Sequence, residues 1–377
     1  MRLRLPAARA LAVVLAALIH GGCDRDAGFS DAFVEAPPPA AIRDDLDTLH
    51  LGEAARATVA ALERRGRSGQ ADPQFARTAR VVAAAAEHPG RLGRVLRRRC
   101  RWYAAREAAR VTAYYEPRLS ARRERDDRYR HPLYRMPEAA TLADVERRLG
   151  HPPSRADIDG AGVLAGLGLE FAWLEDPVER FFLHVQGSGR LHFDDGSVAR
   201  AAYGGNNGMK YTSIGSIMLQ RGLLQKGAAS ASAMRAWLSA NPQRRDELLF
   251  ENPRYIFFAP SHSGGETDGP SGSLGAPLVP GRSLATDPQH IQPGCLLYLR
   301  SRRPVLDGAG RVSEWKPLER FAFSHDTGAA IQGPSRVDVF WGSGPGAGAE
   351  AGYMNEAGEL FALSCRRPRK APRGELR

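Results

Sequence analysis

Near residue 110 the chain changes character, and that change limits the fold to a mixture of helical and β-rich parts. From 41 to about 109 the text is helical: Leu46, Leu49 and Leu51 lead into the alanine-rich run Ala54-Ala-Arg-Ala-Thr-Val-Ala-Ala-Leu-Glu63, whose residues have high helix propensity. Breaks at 66–72 and at His88-Pro-Gly90 divide it, and the last helix is expected over 91–109. Beyond, Arg110-Val-Thr-Ala-Tyr-Tyr-Glu-Pro-Arg118 reads as a strand ended by proline. Strands are also expected at 171–175 and 180–187 with a turn at Asp176-Pro177, and turns at Gly187-Ser-Gly189 and Asp194-Asp-Gly196. A helix pair is expected over 213–250, and Tyr255-Ile-Phe-Phe258 opens a second β-rich region reaching about 363. The Gly/Ser-rich stretch 261–275 reads as a mobile surface insertion, and the basic tail 366–377 as disordered. At 377 residues the chain is long enough for two domains.

Export is written into the N-terminus. Arg2, Arg4 and Arg9 precede the apolar run 11–19, and His20-Gly-Gly-Cys23 follows. A basic region, a short apolar core and small residues before a cleavage point form a secretory signal. The run is shorter than the ~20 apolar residues a membrane-spanning helix needs. The pattern fits cleavage of a signal peptide 1–22 and lipidation of Cys23, although His20 stands where a lipobox usually has leucine. Residues 23–40 then form a lipid-anchored linker. With Cys23 lipidated, Cys100, Cys295 and Cys365 allow one bridge at most. No CxxC or His/Cys spacing suggests a metal, and no cofactor is expected.

The net charge of +11 favours polyanionic partners: nucleic acid, anionic lipid or carboxylate-bearing wall polymers. Arg97-Arg-Arg-Cys-Arg101 reads as a solvated helix face, and an exported chain is sent away from nucleic acid, so no nucleic-acid role is expected. Serine-elbow, phosphate-loop, dinucleotide and HExxH signatures are absent. Polar groups remain on short glycine-flanked segments, including Gln186, Asn206, Asn207, Asp326 and Asp338, together with aromatics Tyr114, Tyr115, Tyr203, Phe340 and Trp341. That mixture suits a carbohydrate, which offers apolar ring faces and hydroxyls that donate and accept. In Arg336-Val-Asp-Val-Phe-Trp341 the alternation sets Val337, Val339 and Trp341 on one face and Asp338 on the other. A carboxyl group among apolar and aromatic side chains has its charged form disfavoured, so Asp338 is a candidate general acid.

Several of these segments carry a resemblance. Val185-Gln-Gly-Ser-Gly189, Tyr203-Gly-Gly-Asn-Asn-Gly208, Tyr211-Thr-Ser-Ile-Gly215 and Asp326-Thr-Gly-Ala-Ala-Ile-Gln-Gly333 with Val337-Asp338 resemble the membrane-bound lytic murein transglycosylase A family. Tyr114-Tyr-Glu-Pro117, Pro132-Leu-Tyr-Arg-Met-Pro137 and Asn252-Pro-Arg-Tyr-Ile-Phe-Phe258 match it in the same order. Ala329 departs from the family, where a second glycine is usual. The resemblance implies a mainly β fold with N-terminal and inserted helices. In it a double-psi β-barrel, built from 41–113 and 253–365, receives an inserted β-rich glycan-binding domain, 114–252, with a groove between them.

It also implies the chemistry. Family members cleave the MurNAc–GlcNAc β-1,4 bond of peptidoglycan without water and leave 1,6-anhydro-MurNAc ends. Asp338 then corresponds to the acid and subsequent base, and Asp326 to its supporting carboxylate. Tyr114, Tyr115, Gln186, Gly187, Ser188 and Asn207 correspond to substrate-binding positions. The expected partners are peptidoglycan glycan strands and, through Cys23, the periplasmic face of a Gram-negative membrane, the outer in preference to the inner. Two other readings stay open at this level: a glycan-binding protein that does not cut, and a hydrolase using Asp326 and Asp338 as a pair.

Overall fold

A computed structural model describes residues 29–67, 72–225, 230–261 and 269–366. The signal peptide, Cys23 and most of the basic tail lie outside the described residues. β1 (Phe33–Ala36) precedes three helices, α1 (Thr48–Gly66), α2 (Pro73–Ala86) and α3 (Pro89–Arg99). Each start is specified locally. Asp47 accepts from Leu49 N, Asp72 accepts from Gln74 N, and Pro73 and Pro89 occupy first-turn positions that need no amide donor. The helix expected to reach 109 stops at Arg99. Cys100 is already extended, because it is bridged to Cys365 and Cys100–Ala105 forms strand β2. In β2, Cys100 and Trp102 face the helices while Tyr103 faces the opposite core.

β3 (Ala109–Glu116) is followed by β4 (Arg118–Ala121), β5 (His131–Tyr134), α4 (Ala139–Leu149) and β6 (Glu170–Leu174). The stretch expected as a strand at 180–187 is instead helix α5 (Pro177–Gln186). Asp176 caps it by accepting from Val178 N, Pro177 begins it, and Gly187 ends it in the left-handed region at φ 80°. A five-residue apolar run cannot reveal its own period, but those flanking signals do. β7 (Gly189–Phe193), β8 (Val198–Asn206), α6 (Ile214–Gln220), α7 (Ala231–Ala240), α8 (Pro242–Phe250) and β9 (Ile256–Ser261) follow, so three helices stand where a pair was expected. The chain closes with β10 (Ser283–Ala285), β11 (Leu296–Leu306), β12 (Val312–Asp326), β13 (Arg336–Ser343), α9 (Gly344–Ala351) and β14 (Asn355–Cys365).

The larger sheet runs β1-β2-β14-β11-β12-β10-β13-β3. Because β14 also pairs with β3, six of these strands close into a barrel, β14-β11-β12-β10-β13-β3. Val111, Leu284, Leu297, Leu299, Ala322, Val337, Val339, Leu360 and Ala362 fill one core with the barrel strands. Leu296, Tyr298, Phe321, Phe323 and Leu363 alternate with them and form a second core under α1, α2 and α3. A separate four-stranded sheet, β4-β7-β8-β9, and the pair β5-β6 are built from the chain between β3 and β10. β9 pairs with β8, so the chain stays with this smaller sheet through Ser261 before it rejoins the barrel.

Candidate active site

The two aspartates meet through a strand that separates neither of them in sequence. On β10, Ala285 is in register with Asp326 of β12 on one side and Asp338 of β13 on the other. Asp338 is in register with Thr112 of β3, and Thr112 with Asn355 of β14. Side chains in register share a face, so Asp326, Ala285, Asp338 and Thr112 form one row across the sheet. Two strand spacings put the aspartate Cα atoms about 10 Å apart, and the small Ala285 leaves the space between them open. A register shift between Leu284 and Ala285 brings Asp326, not His325, into this row.

Asp338 alternates with Val337 and Val339, both fully buried in the core, and so projects from the other face of the sheet. There the Thr112 hydroxyl donates to its Oδ1 at 2.5 Å, and Arg336 Nη1 donates to the Thr112 hydroxyl at 2.7 Å. Burial pushes the Asp338 carboxyl up to about 6; the Thr112 bond and the Arg336 charge oppose that rise, and the Asp326 charge adds to it. Asp326 is also raised by burial, against the bonds from the Ser273 and Thr327 amides and the Tyr114 hydroxyl. Ser273 N reaches Asp326 Oδ1 at 2.9 Å and Tyr114 Oη reaches Oδ2 at 3.0 Å. Burial and the two aspartates drive the Tyr114 phenol well above its ordinary value, which keeps it a donor, and its ring packs on Phe340 with centroids 5.4 Å apart.

Residues 269–275, expected to be part of a mobile surface loop, lie against this row. Leu274 N bonds His325 O at 3.0 Å, and a Cβ on Gly272 would come within 2.4 Å of the same carbonyl. His325 itself is a fully buried strut between barrel and helix. Thr58 spends its proton on Ala54 O, so it accepts from His325 Nε2–H at 2.7 Å; Ser283 accepts from Val279 N–H and donates to Nδ1 at 2.8 Å. Burial holds the imidazole down to about 3, so it is neutral in this role.

The remaining expected residues divide. Tyr115 N donates to Gln186 Oε1 at 3.0 Å, and Tyr115 Oη accepts from Arg235 Nη2 at 3.0 Å. Its ring lies flush on Gly348 of α9, where a Cβ would approach it to 2.6 Å. Gln186 and Gly187 thus end α5 beside β3, with Ser188 half-buried next to them. Asn207 is turned inward instead. It is buried, its amide donates to Pro153 O and Pro253 O at 2.8 Å, and its Oδ1 accepts from Tyr255 N at 2.9 Å. Thr112, Ser273, His325, Arg235 and Gly348 were not singled out from the sequence. Of these only His325, adjacent to Asp326, carried a positional hint.

Comparisons with known proteins agree with this architecture. Residues 110–259 match the family model described as the MltA specific insert domain, and residues 282–364 match the 3D domain. A membrane-bound lytic murein transglycosylase A from Vibrio cholerae is 34% identical over 264 residues, 69% of this chain and 67% of that protein. The Escherichia coli protein of the same name is 35% identical over 255 residues, 67% of this chain and 64% of that protein. The chain therefore spans about two thirds of the length of these relatives. The crystal structure of E. coli MltA with bound chitohexaose superposes with a TM-score of 0.73 at 26% identity, covering 92% of this chain and 98% of that one. A membrane-bound lytic murein transglycosylase from Agrobacterium tumefaciens gives 0.70 at 29% identity, covering 85% and 93%. In sequence and in fold, the chain belongs to the membrane-bound lytic murein transglycosylase A family.

Proposed function

We propose that this chain is a peptidoglycan-cleaving lytic transglycosylase in which Asp338 acts first as general acid and then as base. The observation that carries the reading is the Asp338 carboxyl: half-buried, raised to about 6, and held by the Thr112 hydroxyl with no direct arginine bond among the described residues. A group with that pKa is protonated in a useful fraction near neutrality and can also take a proton back. Asp338 gives its proton to the glycosidic oxygen as the bond to the MurNAc anomeric carbon breaks. The C6 hydroxyl of the same sugar then attacks that carbon, and its proton returns to Asp338, leaving a 1,6-anhydro ring. The nucleophile is already part of the substrate, so high effective molarity replaces a positioned water. Asp326, anchored by Ser273 and Tyr114, keeps a second negative charge in the row that favours the protonated form of Asp338.

Support for a glycan substrate comes from the chitohexaose bound to the E. coli relative. We assign Tyr114, Tyr115 and the Gln186-Gly-Ser188 end of α5 to its binding, and Asn207 to holding the loop behind them. We read the barrel as double-psi, with β10–β12 and β13–β3 as its parallel pairs. The smaller sheet is read as the inserted domain, 114–252 with β9, and the groove as lying between the two. Attachment to a membrane follows the name of the relatives, and we assign it to the periplasmic face with Cys23 as the lipidated residue. Digestion of purified sacculi, with released muropeptides weighed beside those from Asp338→Asn, tests the reaction. Products one water lighter than hydrolysis gives, lost in the variant, are expected. Hydrated products would make the protein a hydrolase, and intact sacculi that still bind it would make it a binding protein.

A further inference from the structure

Two arginines lie beside the aspartate row on the same face of the sheet. Arg336 and Arg110 are in register across β13 and β3, each two residues before its neighbour in the row, Asp338 and Thr112. Side chains two apart share a face, so the pair forms a second row about 7 Å from the first. Their bonds agree with that placement: Arg336 Nη1 donates to the Thr112 hydroxyl at 2.7 Å, and Arg110 Nε donates to Asn355 Oδ1 at 2.9 Å. Phe340 and Tyr114, also in register, flank the row on its other side. The site is therefore bordered by aromatic rings on one side and by guanidinium groups on the other.

The fold does not account for this pair. Like charges directly opposite each other on neighbouring strands destabilise the pairing. Buried arginines elsewhere in the molecule meet acids: Arg282 takes Asp44, Arg320 takes Asp45, and Arg190 and Arg200 share Glu116. Among the described residues, neither Arg110 nor Arg336 makes an ion pair. Arg336 is half-buried; burial opposes its charge, the Asp338 carboxylate favours it, and Arg110 opposes it again. Its bonds to Thr112 Oγ1, Val337 O and Arg110 O all come from Nη1, which leaves Nε and Nη2 for another partner. Arg110 is exposed and bonds neither aspartate, so support of the carboxyl groups does not explain it. Two adjacent guanidinium groups offer N–H donors in the planar arrangement that a carboxylate accepts.

We propose that Arg110 and Arg336 form a carboxylate subsite for the C3 substituent of the MurNAc ring whose glycosidic oxygen meets Asp338. The proposal rests on the peptidoglycan substrate given under the proposed function. That substituent is a lactyl ether, ending either in a free carboxylate or in an amide to a peptide that carries carboxylates of its own. The step of about 7 Å between the two rows is comparable to the span of a pyranose from its anomeric oxygen to a group on C3. Binding is measured with Asp338→Asn protein, which leaves the strands uncut, so the result does not depend on how the parent cleaves them. The ligands are soluble glycan strands with peptides kept or removed, each before and after conversion of its carboxylates to methylamides. Methylamidation should weaken binding about 25-fold, roughly fivefold for each guanidinium, and added salt should shrink the difference. Adding Arg110→Gln should cost about fivefold on carboxylate strands and less than about twofold on methylamide strands. Arg110→Lys should keep most of the discrimination, because it retains the charge while losing the fixed bond to Asn355. Discrimination on peptide-free strands would assign the lactyl carboxylate, and discrimination confined to peptide-bearing strands the stem peptide; either result supports the subsite. Equal binding of carboxylate and methylamide strands, or an Arg110→Gln loss of the same size on both, would overturn it. Sacculi left intact by the parent protein, with the discrimination present, would sink the catalytic reading and leave this one standing.

Discussion

Acidic side chains are buried in two parts of this molecule, and they are treated in opposite ways. Where β3 leaves the barrel, Glu116 is almost completely buried and accepts from Arg190 Nε at 2.9 Å, Arg200 Nε at 2.7 Å and Ser343 Oγ at 2.7 Å. Deeper in the smaller unit, Asp159 meets Arg180 Nη1 at 2.8 Å, Arg155 Nη1 at 3.5 Å and the Tyr255 hydroxyl at 3.2 Å. Both acids are met by guanidinium groups, and those of Arg190 and Arg200 on Glu116 and of Arg180 on Asp159 come from other elements, which joins those elements together. Four residues before Glu116, Thr112 donates to Asp338, and Arg336 is one bond further away, on the hydroxyl rather than on the carboxylate. A buried acid given two arginines becomes a fastener, whereas one given a hydroxyl and a like-charged neighbour remains free to exchange a proton.

Substituting the two kinds of acid should separate activity from stability. Asp338→Asn should lower sacculus digestion by about 10³-fold, the order expected for loss of a general acid. It should also stabilise the fold. Folded Asp338 keeps its proton until about pH 6, whereas the unfolded chain releases it near the ordinary value of 3.8, so the folded state binds more protons between those limits. Stability is therefore lost as pH rises through that window, and the asparagine variant should regain on the order of 2 kcal/mol at pH 7.5 and nothing at pH 3. Denaturant unfolding at the two pH values reads this directly; a destabilised variant would place Asp338 among the fasteners. Glu116→Gln should do the reverse, costing about 3–5 kcal/mol by leaving Arg190 and Arg200 against an uncharged partner. Its surviving folded fraction should keep the parental pH profile of digestion, and a shifted profile would show that the two regions are electrostatically coupled.

Much of the barrel side of this contrast was legible in the chain, because strand alternation depends on neighbours in sequence. Val337 and Val339 inside and Asp338 outside follow from the pleat alone. Motif order supplied Asp326 and Tyr114, which the register then joins. The rest was hidden because it is set by pairing across long separations. Ala285 has no chemistry of its own, yet it determines the spacing of the aspartates. Ser273 contributes a backbone amide, which any residue type could supply, so its role leaves no mark in composition. Asn207 shows the opposite limit: an amide in a glycine-rich motif looks like a ligand group, and only the surrounding backbone shows that its bonds are spent internally. The misread α5 and the early end of α3 were failures of a different kind, since an N-cap with proline at one helix and a cysteine bridge at the other override the local apolar pattern.

Smaller effects should sharpen the contrast within the row itself. Asp326→Asn removes the like charge that helps hold the Asp338 proton, and its single amide oxygen can keep only one of the bonds that Tyr114 and Ser273 now make to separate oxygens. Digestion should fall about tenfold, and its loss with rising pH should begin below the parental position near 6, because Asp338 must be protonated to start the reaction. An unmoved limb would remove Asp326 from the electrostatics of the site. Gly348→Ala should act more weakly and on a different quantity. Alanine favours helix α9 by about 0.5–1 kcal/mol over glycine, but its methyl would meet the Tyr115 ring at 2.6 Å, so the ring must shift away from Arg235. Tyr115 lies outside the aspartate row, and its displacement should raise KM a few-fold while leaving kcat nearly unchanged. A fall in kcat at constant KM would instead mean that α9 supports the carboxyl groups through β13, which it directly follows, and that Tyr115 belongs to the frame of the site and not to the path of the glycan.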